Sequence, residues 1–141
     1  CANSGIDLSN VERGYAALLP LDSDRSARRI RDIVHAKLGV TVGVIVSDTF
    51  GRPWRKGLTD VAIGVAGIAG VVDLRGTEDA LGRVMQVTEV AVADELACAA
   101  ELVMGKSTGV PVAIIRGADP MWFRDSSMDE IVRPPSEDLF R

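Results

Sequence analysis

The stretch VIVSDTFGRPWRKGLTD, residues 44–60, decides how the rest of the chain is organised. A β-branched apolar run from Val40 to Val46 ends close to Asp48 and passes into a segment rich in glycine, proline and positive charge. Continuous valine and isoleucine predict a strand buried on both faces, and the glycine and proline predict a loop at its end. The sequence therefore predicts one carboxylate at a sheet edge with several cations beside it.

This mixture of an acid with cations suits chemistry on phosphates. A carboxylate such as Asp48 can hold a divalent metal, and Arg52, Arg55 and Lys56 can bind the phosphate oxygens that the metal leaves free. The alternative is a turn in which Asp48 and Thr49 satisfy backbone donors while the basic side chains stay solvated. The residues of this stretch alone leave both interpretations open.

A second acidic group lies at residues 88–95. Glu89 is at a predicted junction between a strand and a helix, and Asp94 and Glu95 follow it in the helix. Carboxylates near a helix start complement the helix dipole, which is a sufficient explanation for Asp94 and Glu95. Glu89, like Asp48, lies at the end of a predicted strand. We therefore expect these two acids to converge on one Mg²⁺ or Mn²⁺ ion.

Composition indicates a globular protein and excludes several classes. The chain has 141 residues, 47% hydrophobic and 26% charged, which predicts one domain over residues 1–141. A net charge of −4 argues against a general nucleic-acid binder, and no apolar run is long enough for a membrane span. Two distant cysteines and a single histidine argue against a zinc module and favour a reducing cytoplasmic location. The first residue is cysteine, so we expect a piece of a longer protein.

The order of predicted elements favours the α+β class, as a mixed sheet with packed helices, because no regular βαβ period is visible. The predicted helices share apolar residues at helical spacing and comprise residues 22–38, ended by Gly39, and 90–104, capped by Thr88 and ended by Gly105. Their predicted core faces are Ala27, Ile30, Val34 and Leu38, then Val92, Leu96, Ala99 or Ala100, and Val103. The predicted strands share β-branched residues and comprise residues 40–46, 61–70, 84–87 and 110–115.

Two glycine patterns resemble nucleotide-binding motifs without matching them. Residues 105–108, GKST, resemble the end of a P-loop, but Ala100 replaces the required first glycine and the order of strand and helix is reversed. We interpret Lys106 as a cation that the dipole favours at a helix end. Glycines 64, 67 and 70 have GxxGxxG spacing, which disfavours a dinucleotide-dependent oxidoreductase.

The apolar segment 61–72 is longer than an isolated strand needs. We expect it to pack across a two-fold axis between subunits, with a central strand inside one subunit as the alternative.

Six motifs in this order resemble the coenzyme F-420:L-glutamate ligase (γ-glutamyl ligase) family. They cover essentially the whole chain: SDTFGRPWRKGLTD at 47–60, VAIGVAG at 61–67, QVTEVAVADE at 86–95, MGK at 104–106, PVAIIRG at 111–117 and RPP at 133–135. The resemblance implies a γ-glutamyl-ligase-like fold, a homodimer, and addition of L-glutamate to the deazaflavin cofactor precursor through a γ-linked amide. It implies GTP as co-substrate with Mg²⁺ or Mn²⁺, and K⁺ is a further candidate ion.

The resemblance also assigns roles to residues. It implies that Asp48 and Glu89 bind metal, and that the loop around Gly51 and a segment at about 126–134 contact the nucleotide. We expect Arg52 and Arg55 to serve catalysis by clamping phosphate, and Gly51, Arg52 and Lys56 to bind GTP. Joining a carboxylate to an amine requires activation, for which an acyl phosphate formed from GTP is the expected route.

The chain departs from the family in one respect. Family members begin with an N-terminal portion that supplies further GTP contacts and strands, and we expect that portion to be missing here. The alternative function is therefore a non-catalytic dimerisation or regulatory fragment of a larger protein.

Overall fold

The computed structural model describes residues 6–138, which form helices and short antiparallel sheets. The elements in chain order are β1 Ile6–Asp7, β2 Ala17–Leu18, α1 Ser23–Leu38, β3 Val44–Arg52, β4 Arg55–Ala66, β5 Val72–Asp73, β6 Glu89–Val90 and α2 Val92–Met104, followed by 3-10 helices at Pro120–Trp122 and Met128–Glu130. The α+β class is confirmed. The predicted mixed sheet is not found within residues 6–138, where the strands pair as β1–β2, β3–β4 and β5–β6, all antiparallel.

A long hairpin of β3 and β4 is the central element. The register runs from Val44 opposite Ala66 to Arg52 opposite Arg55, with irregularities after Val46 and after Gly51. The prediction that the strand stops at Asp48 and opens into a loop is wrong, because residues 58–61 pair with β3 and continue the ladder. The chain reverses only at residues 53 and 54, where proline favours a turn.

Helix α1 has the predicted ends. The Asp22 carboxylate accepts the Arg25 N–H at 2.7 Å, and Gly39 ends the helix with a left-handed φ of 66°. Its predicted core face is only partly correct, because Ala27 is fully buried whereas Ile30 and Leu38 are 49% and 70% exposed. The closest packing of α1 is therefore made by small side chains near its start, where the helix meets β4.

The start of α1 lies directly against β4. A Cβ atom at Gly64 would lie 2.5 Å from the carbonyl carbon and oxygen of Ser23, so only glycine permits this approach. Glycine in a strand often marks such a close approach of another backbone. The Asp24 carboxylate accepts the N–H of Val65 at 2.8 Å and the N–H of Met128 at 3.0 Å. One side chain thus joins α1, β4 and the second 3-10 helix.

Helix α2 also packs on β4, and Val92 is the one predicted core residue among its buried residues. It begins at Val92 after an N-cap at Ala91, so Thr88 is not the cap, whereas the end at Gly105 is confirmed. Val92, Ala93 and Ala97 are its buried residues, while Val103 is 71% exposed. Alanine at positions 93 and 97 lets the helix approach the strand closely, and the Asp94 carboxylate accepts the Ala62 N–H at 2.9 Å.

The core lies between β4 and the two helices. Ala62, Val65 and Ala93 form its centre, and partly buried Ile45, Met128 and Ile131 surround them. Val65 is 0% exposed and Ile68 is 4% exposed within a single chain. Val65 and Ile68 therefore pack inside the chain, which favours the alternative that this segment lies within one subunit. The expected packing of segment 61–72 across a two-fold axis stays a prediction.

Two predicted strands do not form. Val84 makes only an isolated bridge with Glu78, and residues 110–115 belong to no strand. Val112 and Ile114 are 72% and 80% exposed. Their composition favours extended backbone, but a strand also needs a partner, and none pairs with them within residues 6–138. No helix in this part of the chain is long and apolar enough to cross a membrane.

An arginine–glutamate clasp holds the closing segment to residues 70 and 71, between β4 and β5. Arg124 donates to both carboxylate oxygens of Glu130 and to the Val71 carbonyl, and Glu130 accepts the N–H groups of Gly70 and Val71. The hydrogen bond from Arg124 holds the pKa of Glu130 below its ordinary value. The clasp is therefore sensitive to acid.

We expect Asp24→Ala to lower the free energy of unfolding by about 2–4 kcal/mol, because the N–H groups of Val65 and Met128 lose a charged acceptor. Asp32→Ala, which removes an exposed carboxylate of the same helix, is the matched control and should cost less than about 1 kcal/mol. Urea unfolding of both variants measures the difference. Equal midpoints would contradict the role given to Asp24.

We expect the clasp to lose its contribution in acid. The pKa of Glu130 is lower in the folded state than in the unfolded state, so its stabilisation is fully present above the ordinary glutamate pKa. It is lost as the pH falls through the folded value. The difference in unfolding free energy between the native protein and Glu130→Gln should therefore be largest near neutral pH and shrink below about pH 4. Urea titrations over this range, with Glu137→Gln as control, test this. A difference that did not change with pH would contradict it.

Candidate functional site

Asp48 lines an open cavity of about 290 Å³ beside the hairpin. The lining combines two carboxylates, two hydroxyls, one ammonium and three apolar side chains, contributed by Ile6, Asp7, Ser9, Leu19, Asp48, Thr49, Leu58 and Lys106. These residues come from β1, β3, β4 and the connections after β1, β2 and α2. The cavity is therefore assembled by the tertiary structure from distant parts of the sequence.

Asp48 has one engaged and one available oxygen. Its Oδ1 accepts the N–H of Thr49 at 2.7 Å, as expected if Asp48 only satisfied backbone donors. Its Oδ2 has no hydrogen-bond partner within residues 6–138. Asp48 is half-buried on β3 opposite Val61, so the ladder fixes its position at the cavity wall. The free oxygen leaves Asp48 able to bind a ligand.

Asp7 is a second carboxylate of this cavity, and the site prediction did not include it. Its oxygens accept the N–H and the hydroxyl of Ser9, each at 2.8 Å, and these bonds lower the pKa of Asp7, with a smaller contribution from Lys106. The Asn10 side chain donates to the Lys106 carbonyl at 3.0 Å and joins this loop to the end of α2. The turn-forming composition of residues 7–10 was visible in the sequence, but its contact with residue 106 was not.

A buried carboxylate lies behind the cavity. Asp60 is 6% exposed and accepts the hydroxyls of Ser47 at 2.9 Å and Thr49 at 3.2 Å. Thr49 in turn accepts a hydrogen bond from the Lys106 ammonium at 2.7 Å. Sequence analysis missed Asp60 and Thr49 as partners, because the hairpin pairing that brings them together replaced the predicted loop.

The predicted phosphate-binding cations lie at the tip of the hairpin. Arg52, Arg55 and Lys56 are exposed and are not among the residues that line the cavity. Arg52 is four residues beyond Asp48 along β3, a separation of roughly 13 Å between Cα atoms in an extended strand. Gly51 pairs with Leu58, which does line the cavity. The assignment of these four residues to catalysis and GTP binding stays a prediction.

Glu89 lies on a different sheet from Asp48. It pairs with Asp73 across β5 and β6, and its carboxylate is 3.2 Å from the Arg75 guanidinium. Arg75 also binds Asp73, and this hydrogen bond lowers the pKa of Asp73 to about 2. Glu89 does not line the Asp48 cavity. The structure therefore does not bring Asp48 and Glu89 together in that cavity, and their shared metal stays a prediction.

The oxygen donors of the cavity suit a hard cation. Residues 6–138 contain no group of three or more histidine, cysteine, aspartate or glutamate side chains that could hold a metal. Mg²⁺ commonly uses only one or two protein carboxylates and completes its coordination with water and substrate phosphates. Asp48, with Asp7 on the same cavity, fits that requirement in donor type. A metal here would depend on oxygens from a bound substrate.

Comparison with known proteins agrees with the motifs. Residues 1–117 match the family described as F420-0:Gamma-glutamyl ligase. The whole chain is 48% identical to the coenzyme F420:L-glutamate ligases of Methanococcus maripaludis and Methanocaldococcus jannaschii, and it covers 56% of the length of each. It is likewise 48% identical to the enzyme of that description from Methanopyrus kandleri, covering 58% of it. The chain thus spans little more than half the length of these relatives.

We expect Asp60→Ala to lower the free energy of unfolding by about 1–3 kcal/mol, because it leaves the Ser47 and Thr49 hydroxyls without their acceptor. Arg55→Ala, on the exposed end of the same hairpin, should change it by no more than about 0.5 kcal/mol. Thermal and urea unfolding give both values. If the two variants were equally stable, Asp60 would not organise the cavity wall.

Proposed function

The chain belongs to the F420-0:gamma-glutamyl ligase family, and from this we propose that it carries part of the active site of a GTP- and divalent-metal-dependent ligase. The reaction joins L-glutamate to the deazaflavin cofactor precursor through a γ-glutamyl amide in coenzyme F420 biosynthesis. One observation supports the proposal most directly: a carboxylate with a free oxygen, Asp48, shares an open cavity with an ammonium group, Lys106. A carboxylate that can hold a metal and an ammonium that can bind an anion together suit a phosphorylated substrate.

The proposed chemistry has two steps. The acceptor carboxylate attacks the γ-phosphorus of GTP, and the bond to the β-phosphate oxygen breaks, which gives an acyl phosphate and GDP. The amine of the incoming substrate then attacks the acyl carbon, the amide bond forms, and inorganic phosphate leaves with the proton lost to solvent. A bound Mg²⁺ or Mn²⁺ would neutralise charge on the phosphate oxygens. No nucleophilic side chain is required.

Each protein group has a distinct role in this proposal. Asp48 would hold the divalent cation that accompanies the phosphates through its Oδ2, while the β3–β4 ladder keeps the carboxylate at the cavity wall. Arg52 and Arg55 are exposed on the hairpin tip, where their guanidinium groups can bind phosphate in a bidentate manner. Gly51 and Lys56 are the further candidates for nucleotide contact. Glu89 requires exchange of its pair with Arg75 before it can bind another cation.

Further features of the proposal follow from the family alone. They are a homodimeric assembly, K⁺ as an additional ion, and nucleotide contacts from segment 126–134. A cytoplasmic location is proposed from the cysteine usage. In the structure Glu130 of segment 126–134 accepts the Gly70 N–H just after β4, and the Met128 N–H donates to Asp24 of α1. Met128 and Ile131 also pack against the core cluster that includes Ala62 and Val65 of β4. The segment is thus attached to the same strand that forms one wall of the Asp48 cavity.

A second candidate is a non-catalytic dimerisation or regulatory role. The observation that favours it is the exposed apolar surface of residues 110–115, where Val112 and Ile114 are 72% and 80% exposed. Metal-dependent GTP turnover separates the two candidates, because a protein that only assembles has no reason to hydrolyse or transfer phosphate.

We expect Asp48→Asn to reduce metal-dependent GTP turnover by at least roughly 100-fold while the fold is kept, because the substitution removes a charged ligand without opening a cavity. Asp32→Asn, on the exposed side of α1, is the control for loss of one negative charge. Phosphate release at limiting Mn²⁺ and the thermal midpoint of each variant are the measurements. Unchanged turnover in Asp48→Asn would remove Asp48 from the site.

Glu89→Gln tests the second acid in the same assay. A comparable loss of turnover would support a metal ligand at this position. A change in stability alone would limit Glu89 to its pair with Arg75.

A further inference from the structure

A second open cavity, of about 510 Å³, shares no lining residue with the Asp48 cavity. It lies between the C-terminal half of α1, the connection from α1 to β3, and residues 123–125 after the first 3-10 helix. Its wall combines charged side chains with the apolar side chains of Val40, Val42 and Phe123. Sites for small molecules have volumes of roughly 300–1,000 Å³ and such mixed walls. The proposed ligase function gives this cavity no role.

Arg31 is the central charge of this cavity, and it joins two carboxylates. Asp32 accepts from its Nε at 3.1 Å and lies at the same distance from Nη2, while Asp125 accepts from Nη1 at 3.2 Å. Gly67 allows the Arg31 side chain to lie against the backbone, because a Cβ atom at Gly67 would be 3.1 Å from Arg31 Cδ. The guanidinium is therefore held at the cavity wall.

The pair between Arg31 and Asp125 can be exchanged for a ligand. The Asp125 side chain is 98% exposed, and within residues 6–138 its carboxylate has Arg31 as its only partner. An ion pair with so exposed a member contributes little to stability, so breaking it costs little. The Arg31 side chain is only 27% exposed, and water therefore screens its attraction for a carboxylate less. Nη1 can thus donate to a ligand carboxylate in place of Asp125.

Arg124 also lines the cavity, but its donors are occupied. Its two terminal nitrogens donate to the Glu130 carboxylate and to the carbonyl oxygens of Val71 and Asp125. Arg31 is therefore the cation of this cavity that can change its partner.

His35 supplies an acceptor to the same cavity. Its Nδ1 lies 3.2 Å from the Val40 carbonyl oxygen. A carbonyl oxygen can only accept, so Nδ1 carries the hydrogen and the neutral ring has Nε2 as an acceptor. Nε2 has no partner in the part of the chain that the structure describes. The cavity thus holds one exchangeable donor for a carboxylate, on Arg31, and two acceptors for an ammonium group, Asp125 and His35.

We propose that this cavity binds a free α-amino acid with an apolar side chain. The ligand carboxylate takes the place of Asp125 on Arg31, and the ligand ammonium group binds the released Asp125. One ion pair is replaced by two, whereas an anion alone would leave Asp125 without a partner and a cation alone would bring nothing to Arg31. An α-amino acid carries both charges on one carbon, which suits a pair as close as 3.2 Å. Phe123 and Val40, which are 44% and 45% exposed, provide the apolar contact.

NMR titration of the protein with L-phenylalanine tests the proposal. Millimolar L-phenylalanine should shift the backbone amide signals of residues 40–42 and 123–125 and leave those of Asp48 and Thr49 unchanged. Phenethylamine lacks the carboxylate and 3-phenylpropionate lacks the ammonium group, so each should bind at least roughly 10-fold more weakly. L-Glutamate should bind at least roughly 3-fold more weakly, because its second carboxylate faces the apolar wall.

Asp125→Asn distinguishes a zwitterion from an anion. It should weaken the binding of L-phenylalanine by roughly 3-fold or more, because the ammonium group loses its charged partner. It should strengthen the binding of 3-phenylpropionate, because that ligand no longer competes with a carboxylate for Arg31. Asp129→Asn removes the same charge outside the cavity and should change either dissociation constant less than about 2-fold.

Arg31→Met should weaken both L-phenylalanine and 3-phenylpropionate by roughly 10-fold or more. Arg29→Met, which removes an exposed charge of the same helix outside the cavity, is the matched control and should change binding less than about 2-fold. Asp125 is almost fully exposed, so the Asp125→Asn comparison decides the proposal even if Arg31→Met fails to fold.

Four results would overturn the proposal. They are the absence of shifts with millimolar L-phenylalanine, shifts at the Asp48 cavity instead, equal affinity for either truncated analogue or for L-glutamate, and native affinity for L-phenylalanine in Asp125→Asn. The outcome is independent of the proposed ligase function, which depends on the Asp48 cavity and is measured by GTP turnover.

Discussion

Two aspartates from different helices satisfy N–H groups of β4, and the packing of the chain depends on these bonds. Asp24 of α1 accepts the N–H of Val65, and Asp94 of α2 accepts the N–H of Ala62. In a two-stranded sheet some N–H groups of each strand point away from the partner strand and would be left without acceptors when buried. The helices supply those acceptors as charged groups, which form stronger hydrogen bonds than neutral ones. Each helix is thereby placed on the strand at a defined residue.

Small residues make these bonds geometrically accessible. Gly64 allows the backbone of Ser23 to contact the strand, and Ala93 and Ala97 do the same for α2. The core is correspondingly poor in large side chains, with Val65 and Val92 the largest that are fully buried among residues 6–138. Close backbone packing and hydrogen bonds therefore provide the stabilisation that bulky apolar side chains provide in other cores.

The same strand carries the candidate site. Asp60 of β4 holds Ser47 and Thr49 of β3, and Thr49 reaches Lys106 beyond α2. Since Asp94 fixes α2 on β4 only two residues from Asp60, the position of Lys106 is determined by the same packing that stabilises the domain. The cavity is thus a consequence of how the strand and helices meet, and its geometry is coupled to their stability.

The sequence by itself determined the α+β class, both ends of α1, the C-terminal end of α2 and the family, because caps, periodicity and ordered motifs are local signals. It did not determine the hairpin. The composition of residues 48–60 is typical of a Gly/Pro loop, and only the pairing of residues 58–61 with β3 makes this segment a hairpin. It also predicted a strand at 110–115 that does not form, and of its predicted core face of α2 only Val92 is buried, because burial and pairing depend on the opposing surface. Only the tertiary structure joined Asp7, Asp48, Thr49, Asp60 and Lys106, which are up to about a hundred positions apart and share no periodic pattern.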